Sequence, residues 1–175
     1  MNPGIEIERK YVIKLPDIEK LRAMPDYTVS DISQTYLMTS EDGVSERVRR
    51  RTWAGDTRFY HTVKRRIDDL SCKEDEREIT YEEYASLIRR RDEHTRTLEK
   101  TRHTFSFGGL TVEIDKYAGW ERIAVLEVEL PSRDVTPMLP DFIDVVFEAT
   151  GNFAFSNASL AKRFPSEEDV MRDYL

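Results

Sequence analysis

The sequence predicts a mainly β (α+β) domain in which antiparallel strands form a closed barrel or a sandwich, with a few flanking helices. Three observations carry this expectation. Most segments alternate apolar and polar residues with a period of two, the pattern of a strand with one buried face. The 7 Gly and 7 Pro are scattered singly, as turns between strands. Helical patterns are few and short, which leaves many closely spaced strands as the main architecture.

The elements follow in order. Ile5–Ile13 alternates strictly and stops before Leu15-Pro16, and Asp17 to Met24 reads as a short helix. Ser33–Met38 is a second strand. Glu41-Asp42-Gly43 turns the chain into Ser45–Arg51, and Ala54-Gly55-Asp56 is a hairpin turn into Arg58–Arg66. Asp75–Ile79 is the next strand. Thr80 with Glu83 forms a capping box for a helix from Tyr81 to about Arg91, whose apolar face is Tyr84, Leu87 and Ile88. Strands Thr97–Phe107, Thr111–Tyr117 and Ile123–Leu130 follow, the first two separated by Gly108-Gly109 and the last ended by Pro131. Between Pro137 and Lys162 lie a short extended piece, Val145-Val146-Phe147, and a last helix capped by Ser156 or Asn157. Residues 165–175 read as an acidic, loosely held tail of a single domain spanning 1–175.

Composition narrows the function classes. Charged residues make up 35% of the 175, against about 25% in an ordinary soluble domain. No apolar run is long enough for a membrane helix, and Met1 to Met24 lacks a signal-peptide core. Cys72 is the only cysteine, which excludes an internal disulfide and a zinc framework and fits a cytoplasmic location. A net charge of −7 opposes binding along a nucleic-acid duplex. Locally, however, Arg47, Arg49, Arg50, Arg51, Arg58, Lys64, Arg65 and Arg66 make a basic patch suited to a small phosphate compound.

The charges also have a pattern. Glu6/Glu8, Arg47/Arg49, Glu76/Glu78, Lys100/Arg102, Glu113/Asp115 and Glu127/Glu129 each place like charges two residues apart, on one face of a strand. A sheet with one solvated face alternates apolar and charged residues too, but a sequence selected only for stability would mix the signs. Six uncompensated pairs point to a barrel interior in which carboxylates hold divalent cations and Arg and Lys hold a phosphate chain. The scattered His61, His94 and His103 have no nucleophile partner pattern, and Trp53 reads as a rim or packing residue.

These residues resemble the CYTH superfamily, the triphosphate tunnel metalloenzymes. The likeness begins with Glu6-x-Glu8-x-Lys10 and continues in order through Gln34-x-Tyr36-Leu37, Arg47-Val48-Arg49, Thr62-x-Lys64, Glu76-x-Glu78, Lys100-x-Arg102, Glu113-x-Asp115, Glu127-x-Glu129 and Asn157-x-x-Leu160-Ala161. The resemblance implies an eight-stranded antiparallel barrel forming a tunnel for a triphosphate and Mg²⁺ or Mn²⁺, with two ions expected. Lys10, Arg47, Arg49, Lys64, Arg102 and Lys162 correspond to its phosphate-binding positions. Glu6, Glu8, Glu127, Glu129, Glu113 and Asp115 correspond to its metal-binding acids, with Glu76 and Glu78 supporting them from behind. Glu8 and Glu129 are expected to be catalytic through the metal, and Lys100 resembles a lysine proposed as general base.

The implied activity is metal-dependent hydrolysis of tripolyphosphate to pyrophosphate and phosphate. Nucleoside or thiamine triphosphatase, class IV-type adenylate cyclase and non-catalytic polyphosphate binding are the alternatives. Gly4-Ile5-Glu6 stands where bacterial cyclases tend to carry His-Phe-Glu, which counts against the cyclase. The resemblance allows a homodimer.

Overall fold

A computed structural model describes residues 5–174, so Met1–Gly4, including the Gly4 compared above, and Leu175 lie outside the described residues. Eight strands close into an antiparallel barrel: β1 (Ile5–Lys14), β2 (Thr28–Tyr36), β3 (Val44–Trp53), β4 (Asp56–Arg66), β5 (Ser71–Ile79), β6 (Leu98–Phe107), β7 (Leu110–Tyr117) and β8 (Ile123–Glu129). The order around the sheet is β5-β4-β3-β2-β6-β7-β8-β1, and β1 returns to β5 through Ile5↔Lys73, Glu6↔Cys72 and Ile7↔Ser71. A ninth strand, β9 (Val145–Glu148), pairs with the later part of β1. Closure removes most unpaired strand edges.

Local chemistry fixes the connections. Ala54 and Gly55 both have positive φ, 48° and 82°, so β3 and β4 meet in a two-residue turn whose twist suits a hairpin. Thr80 and Glu83 form the expected capping box, and α2 (Tyr81–Leu87) then passes into a 3-10 turn at Ile88–Arg90 instead of continuing to Arg91. Asp17 caps α1 (Ile18–Arg22), and Ser156 caps α3 (Asn157–Lys162).

Alternation sorts the side chains into an inner and an outer set. Ile13, Phe105, Val112, Ile114, Leu126 and Val128 lie on the outer face, beneath Leu21 of α1 and a loop carrying Leu139 and Phe142. Val48 and Ile79 lie beneath Tyr84 and Leu87 of α2. The remaining apolar cluster joins Val12, Tyr36, Leu98, Tyr117 and Val125 to Trp120, Phe155 and Leu160, so α3 and its approach pack over the apolar part of the barrel.

Three boundaries differ from expectation. The second strand begins at Thr28, ahead of Ser33, because Thr28–Ser33 pairs with β6 although its own sequence is largely polar. The fifth begins at Ser71 rather than Asp75, since Ser71–Lys73 bridges β4 and β1 and owes its conformation to both neighbours. The tail is not loose: Glu167–Tyr174 forms a fourth helix, α4, with Val170 buried in the core cluster and Trp120 Nε1 donating to Pro165 O at 3.1 Å.

Glu167 anchors this helix. Its carboxylate accepts backbone N–H groups of Glu121, Arg122 and Ile123, and Arg122 Nε donates to it at 2.9 Å. Glu167→Ala leaves those amides without their acceptor and is expected to cost about 1–3 kcal/mol. Urea unfolding together with hydrogen exchange at Val170 checks this, and unchanged stability with unchanged protection would show that α4 is not anchored there. No helix among the described residues is long and apolar enough to cross a membrane.

Candidate active site

The inner face of the barrel surrounds a cavity of about 470 Å³. Glu6, Glu8 and Lys10 of β1, Arg47 and Arg49 of β3, Lys64 of β4, Glu76 of β5, Arg102 of β6, Glu113 of β7 and Glu127 and Glu129 of β8 all line it. On each of these strands the charged face is turned inward, as the period of two implies.

The charges fall into two sectors. On the β3–β4–β5 side, Arg47 Nη2 approaches Glu74 at 3.3 Å, Arg49 pairs with Glu76, and Lys64 Nζ lies 3.1 Å from Glu6 and 3.3 Å from Glu74. On the β6–β7–β8 side, Arg102 is enclosed by acids. Its Nε and Nη2 meet the two Asp115 oxygens at 2.6 and 2.7 Å, Nη1 pairs with Glu113, and Nη2 also lies 3.3 Å from Glu127. Lys10 Nζ holds Glu127 at 2.8 Å and lies 3.5 Å from Glu8.

This distinguishes cations assigned one role by sequence. Arg47 makes one long contact and its Nε, although buried, has no partner. Arg102 also lines the cavity but is surrounded by carboxylates, holding Glu113, Asp115 and Glu127 together. Burial alone would raise the Asp115 and Glu127 carboxyls. Arg102 and Lys100 hold Asp115 below its ordinary value, and Lys10 and Arg102 hold Glu127 well below its own. Burial and the nearby Asp115 and Glu127 push Glu113 the other way despite Arg102.

A pH dependence follows for Asp115 and Glu127, whose folded values are depressed. Their contribution to stability is present above the unfolded carboxylate range and is lost as pH falls through the folded values. Thermal stability is expected to fall below about pH 4.5, the ordinary glutamate value. Melting measured at pH 6 and pH 3.5 checks this, and equal or higher stability at the lower value would contradict it.

Four expected site residues lie elsewhere than on the cavity surface. Lys100 and Asp115 share the inward parity but are buried beside the cavity, with side chains 1% exposed. Lys100 Nζ donates to Asp115 at 2.5 Å and to Asn157 at 3.3 Å, so the expected general base has its ammonium committed to internal acceptors. Burial and the adjacent Arg102 push Lys100 down to about 8, against the opposing pull of Asp115. Glu78 shares the inward parity but sits at the outer end of β5, 54% exposed and 3.4 Å from Arg58. Lys162 is exposed and does not line the cavity, because α3 turns Leu160 and Ala161 inward.

Sequence reasoning missed Glu74 and Cys72 as lining residues and placed Arg51 only in the general basic patch, yet all three line the cavity. Extending the period of two back from Glu76 reaches Glu74 and Cys72, and extending it forward from Arg49 reaches Arg51. Trp53 packs beside the Arg51 and Arg58 guanidinium groups, 5.4 and 5.1 Å from its ring, as a rim residue would.

The donor set fits a divalent cation. Glu8 and Glu129 lie directly opposite one another on β1 and β8, where like charges repel. Among the described residues Glu129 has no ion-pair partner, and Glu8 has one, Lys10 at 3.5 Å, with Lys64 attracting it from farther off. Oxygen donors with unbalanced negative charge suit Mg²⁺ or Mn²⁺. Glu6, Cys72 and Glu74 also bring donor atoms within 4.8 Å of one another, but Lys64 already occupies their carboxylates. Burial raises the Cys72 thiol to about 11, so it stays protonated at neutral pH and is a poor ligand.

The closed antiparallel barrel thus encloses one cavity lined by guanidinium and ammonium groups together with paired carboxylates. The chain belongs to the CYTH domain family, whose model matches residues 4–164. It is 31% identical over 160 residues to an inorganic triphosphatase of Acetivibrio thermocellus, covering 91% of this chain and 94% of that protein. Among solved structures, the inorganic triphosphatase NE1496 aligns with a TM-score of 0.57 and 26% identity, over 92% of this chain and 97% of that one. The PH1819 protein of Pyrococcus horikoshii OT3 shares the fold, with a TM-score of 0.57 and 22% identity over 74% and 80% of the two chains.

Proposed function

We propose that this protein is a divalent-metal-dependent inorganic triphosphatase that cleaves tripolyphosphate to pyrophosphate and phosphate within the barrel. One observation carries the reading: a single cavity holds both the incompletely satisfied Arg47 and the facing like-charged pair Glu8 and Glu129, of which Glu129 has no ion-pair partner among the described residues. Arginines alone would serve a polyanion-binding module, whereas unbalanced carboxylates beside a phosphate site require a cation between them and the substrate. The names of the related proteins support the same reading.

Arg47, Arg49 and Lys64 would bind the phosphate oxygens, with the guanidinium groups suited to two parallel hydrogen bonds. Lys10 would neutralise substrate charge from its position between Glu8 and Glu127. Glu8 and Glu129 would hold one Mg²⁺ or Mn²⁺ ion, and Glu6 with Glu74 offers a position for a second once Lys64 turns to substrate. The bound metal supplies Lewis acidity and lowers the pKa of a water molecule. Arg102 and Lys100 keep Asp115 and Glu127 ionised, and Arg102 holds Glu113 beside them, so the acidic sector is ordered before substrate arrives. The cation-rich interior compensates the four or so negative charges of tripolyphosphate, and its strand-borne side chains fix the chain for attack. A cytoplasmic location belongs to the same reading and agrees with one unpaired cysteine.

Phosphate release from tripolyphosphate, ATP and thiamine triphosphate, each measured with Mg²⁺, Mn²⁺ or EDTA, tests the proposal. Preferred, metal-dependent cleavage of tripolyphosphate is expected. Preferred cleavage of ATP or thiamine triphosphate would reassign the substrate, and binding of tripolyphosphate without release would make this a binding module.

A further inference from the structure

Two connecting segments meet at one end of the cavity: the turn between β4 and β5, residues 67–70, and the link from β9 to α3, residues 149–156. Asp68 and Asp69 line the cavity from the first, and Gly151 and Phe153 from the second. Gly151 has a φ of 73° and passes so near the turn that a methyl group on it would lie 3.3 Å from Asp69 Cβ. Arg66, the last residue of β4, holds its guanidinium 3.4 Å from the centre of the Phe153 ring.

Both segments are tied down. Asp68 Oδ1 accepts the backbone N–H groups of Leu70 and Ser71 at 2.9 and 3.0 Å, and its other oxygen pairs with Arg133 from the loop after β8. Arg66 Nε donates to Asp68 O at 3.1 Å, and its Nη2 lies 3.3 Å from Asp69. Asn152 accepts from Ala154 N at 3.1 Å and starts a 3-10 turn, Phe153–Phe155. Phe155 enters the core, whereas Phe153 is 52% exposed and serves the rim of the cavity.

The junction stands beside the facing carboxylates. Glu8 N donates to Leu70 O at 3.2 Å, and Ala149 N donates to Lys10 O at 2.8 Å. Both segments are thus fastened to the stretch of β1 that carries Glu8, opposite Glu129. On β4, Arg66 follows Lys64 on the inward face, about 7 Å further along the strand. A phosphate chain running past Arg47 and Lys64 toward this end therefore meets a stacked ring and guanidinium with two carboxylates beside them.

We propose that Arg66 and Phe153 form an end-stop that sets the register of the phosphate chain, so that only its terminal phosphoryl group stands beside Glu8 and Glu129. The proposal rests on the reading of the cavity as a triphosphatase site and adds the rule for which bond is cut. Water attacks the terminal phosphorus, the bond from that phosphorus to the bridging oxygen breaks, and the oxygen leaves with the rest of the chain. Tetrapolyphosphate and water then give orthophosphate and tripolyphosphate. A chain displaced one phosphoryl unit past the stop is cut at its central bridge and gives two pyrophosphates. The two bridges of tripolyphosphate are equivalent, so the longer chain is the probe.

The initial products of tetrapolyphosphate hydrolysis, resolved by ion chromatography, test the stop. Wild type is expected to release orthophosphate and tripolyphosphate. Phe153→Ala removes the ring and no charge, and is expected to shift the ratio of central to terminal cleavage about two- to fivefold, the factor carried by one exposed cation–π contact. Arg66→Leu should shift it the same way, and Phe153→Tyr, which keeps the stack, should leave it unchanged. The melting temperature of Phe153→Ala is expected to stay within about 4 °C of wild type. An unchanged ratio in both Phe153→Ala and Arg66→Leu would overturn the stop, as would central cleavage by wild type. If wild type cleaves tripolyphosphate but not tetrapolyphosphate, gain of the second activity in Phe153→Ala supports the stop and its absence overturns it. In all these cases tripolyphosphate cleavage by wild type decides the triphosphatase reading separately. A wild type that cleaves neither chain would overturn both.

Discussion

Glu8→Gln is expected to lower kcat/KM for tripolyphosphate by at least about 1000-fold, or about 4 kcal/mol at the transition state, with the barrel still folded. Glu8 faces Glu129 across β1 and β8, with Lys10 at 3.5 Å its one ion pair among the described residues and Lys64 attracting it from farther off. The neutral amide keeps the shape of the side chain but removes a charged metal donor. Since like charges directly opposite in a sheet repel, the same change is expected to leave stability unaltered or to raise it by up to about 1 kcal/mol. Activity and stability should therefore move in opposite directions, as at a site where repulsion is retained for function. Steady-state kinetics with Mg²⁺ and a thermal melt of the metal-free protein measure the two effects. Near-normal turnover would remove Glu8 from the metal site, and a melting temperature many degrees lower would make its role structural.

Arg102→Leu is the variant expected to damage the fold most. The guanidinium meets Asp115 through two hydrogen bonds and also contacts Glu113 and Glu127, all in the barrel wall. Removing it leaves three acids with Lys100 and Lys10 as their remaining cationic partners. Breaking a buried ion pair from one side costs about 3–5 kcal/mol, because the surviving charges remain desolvated. That is a large share of the roughly 5–15 kcal/mol that holds a domain folded. Urea unfolding monitored by circular dichroism gives the loss directly. Arg102→Lys retains the charge without the two-pronged geometry and is expected to fall between wild type and Arg102→Leu. A fully stable Arg102→Leu would show that the acids simply protonate and that the network is not structural.

The contrast between Arg102 and Arg47 marks where the sequence stops being informative. Both are inward-facing arginines in a pair of like charges, and both look equally suited to phosphate. Arg102 is assembled with acids from β7 and β8, whereas Arg47 faces Glu74 alone at 3.3 Å. Parity along a strand tells which way a side chain points but not what stands opposite. Glu78 is a related case: its parity is inward, yet β5 carries it to the exposed end beside Arg58. The tail was misread for the same reason. Its acidic composition suggests solvent, but Glu167 finds three backbone N–H groups on the segment leading into β8, and Val170 enters the core.

By itself the sequence determined that the chain is an antiparallel β protein, which residues share a face, and that one face of most strands carries a single sign of charge. Those are local properties, set by a backbone repeat of two and by turn residues such as Gly55. The surplus of charge seen in the composition thus has its place inside the barrel, apart from positions such as Glu78 and Lys162. Only the tertiary structure decided which opposite charges meet, that Glu8 and Glu129 are left facing each other, and that Lys100 is buried against Asp115 and Asn157. Each of these depends on register and closure between strands far apart in the chain. Electrostatic energy falls off with the distance between side chains, whatever their separation in sequence.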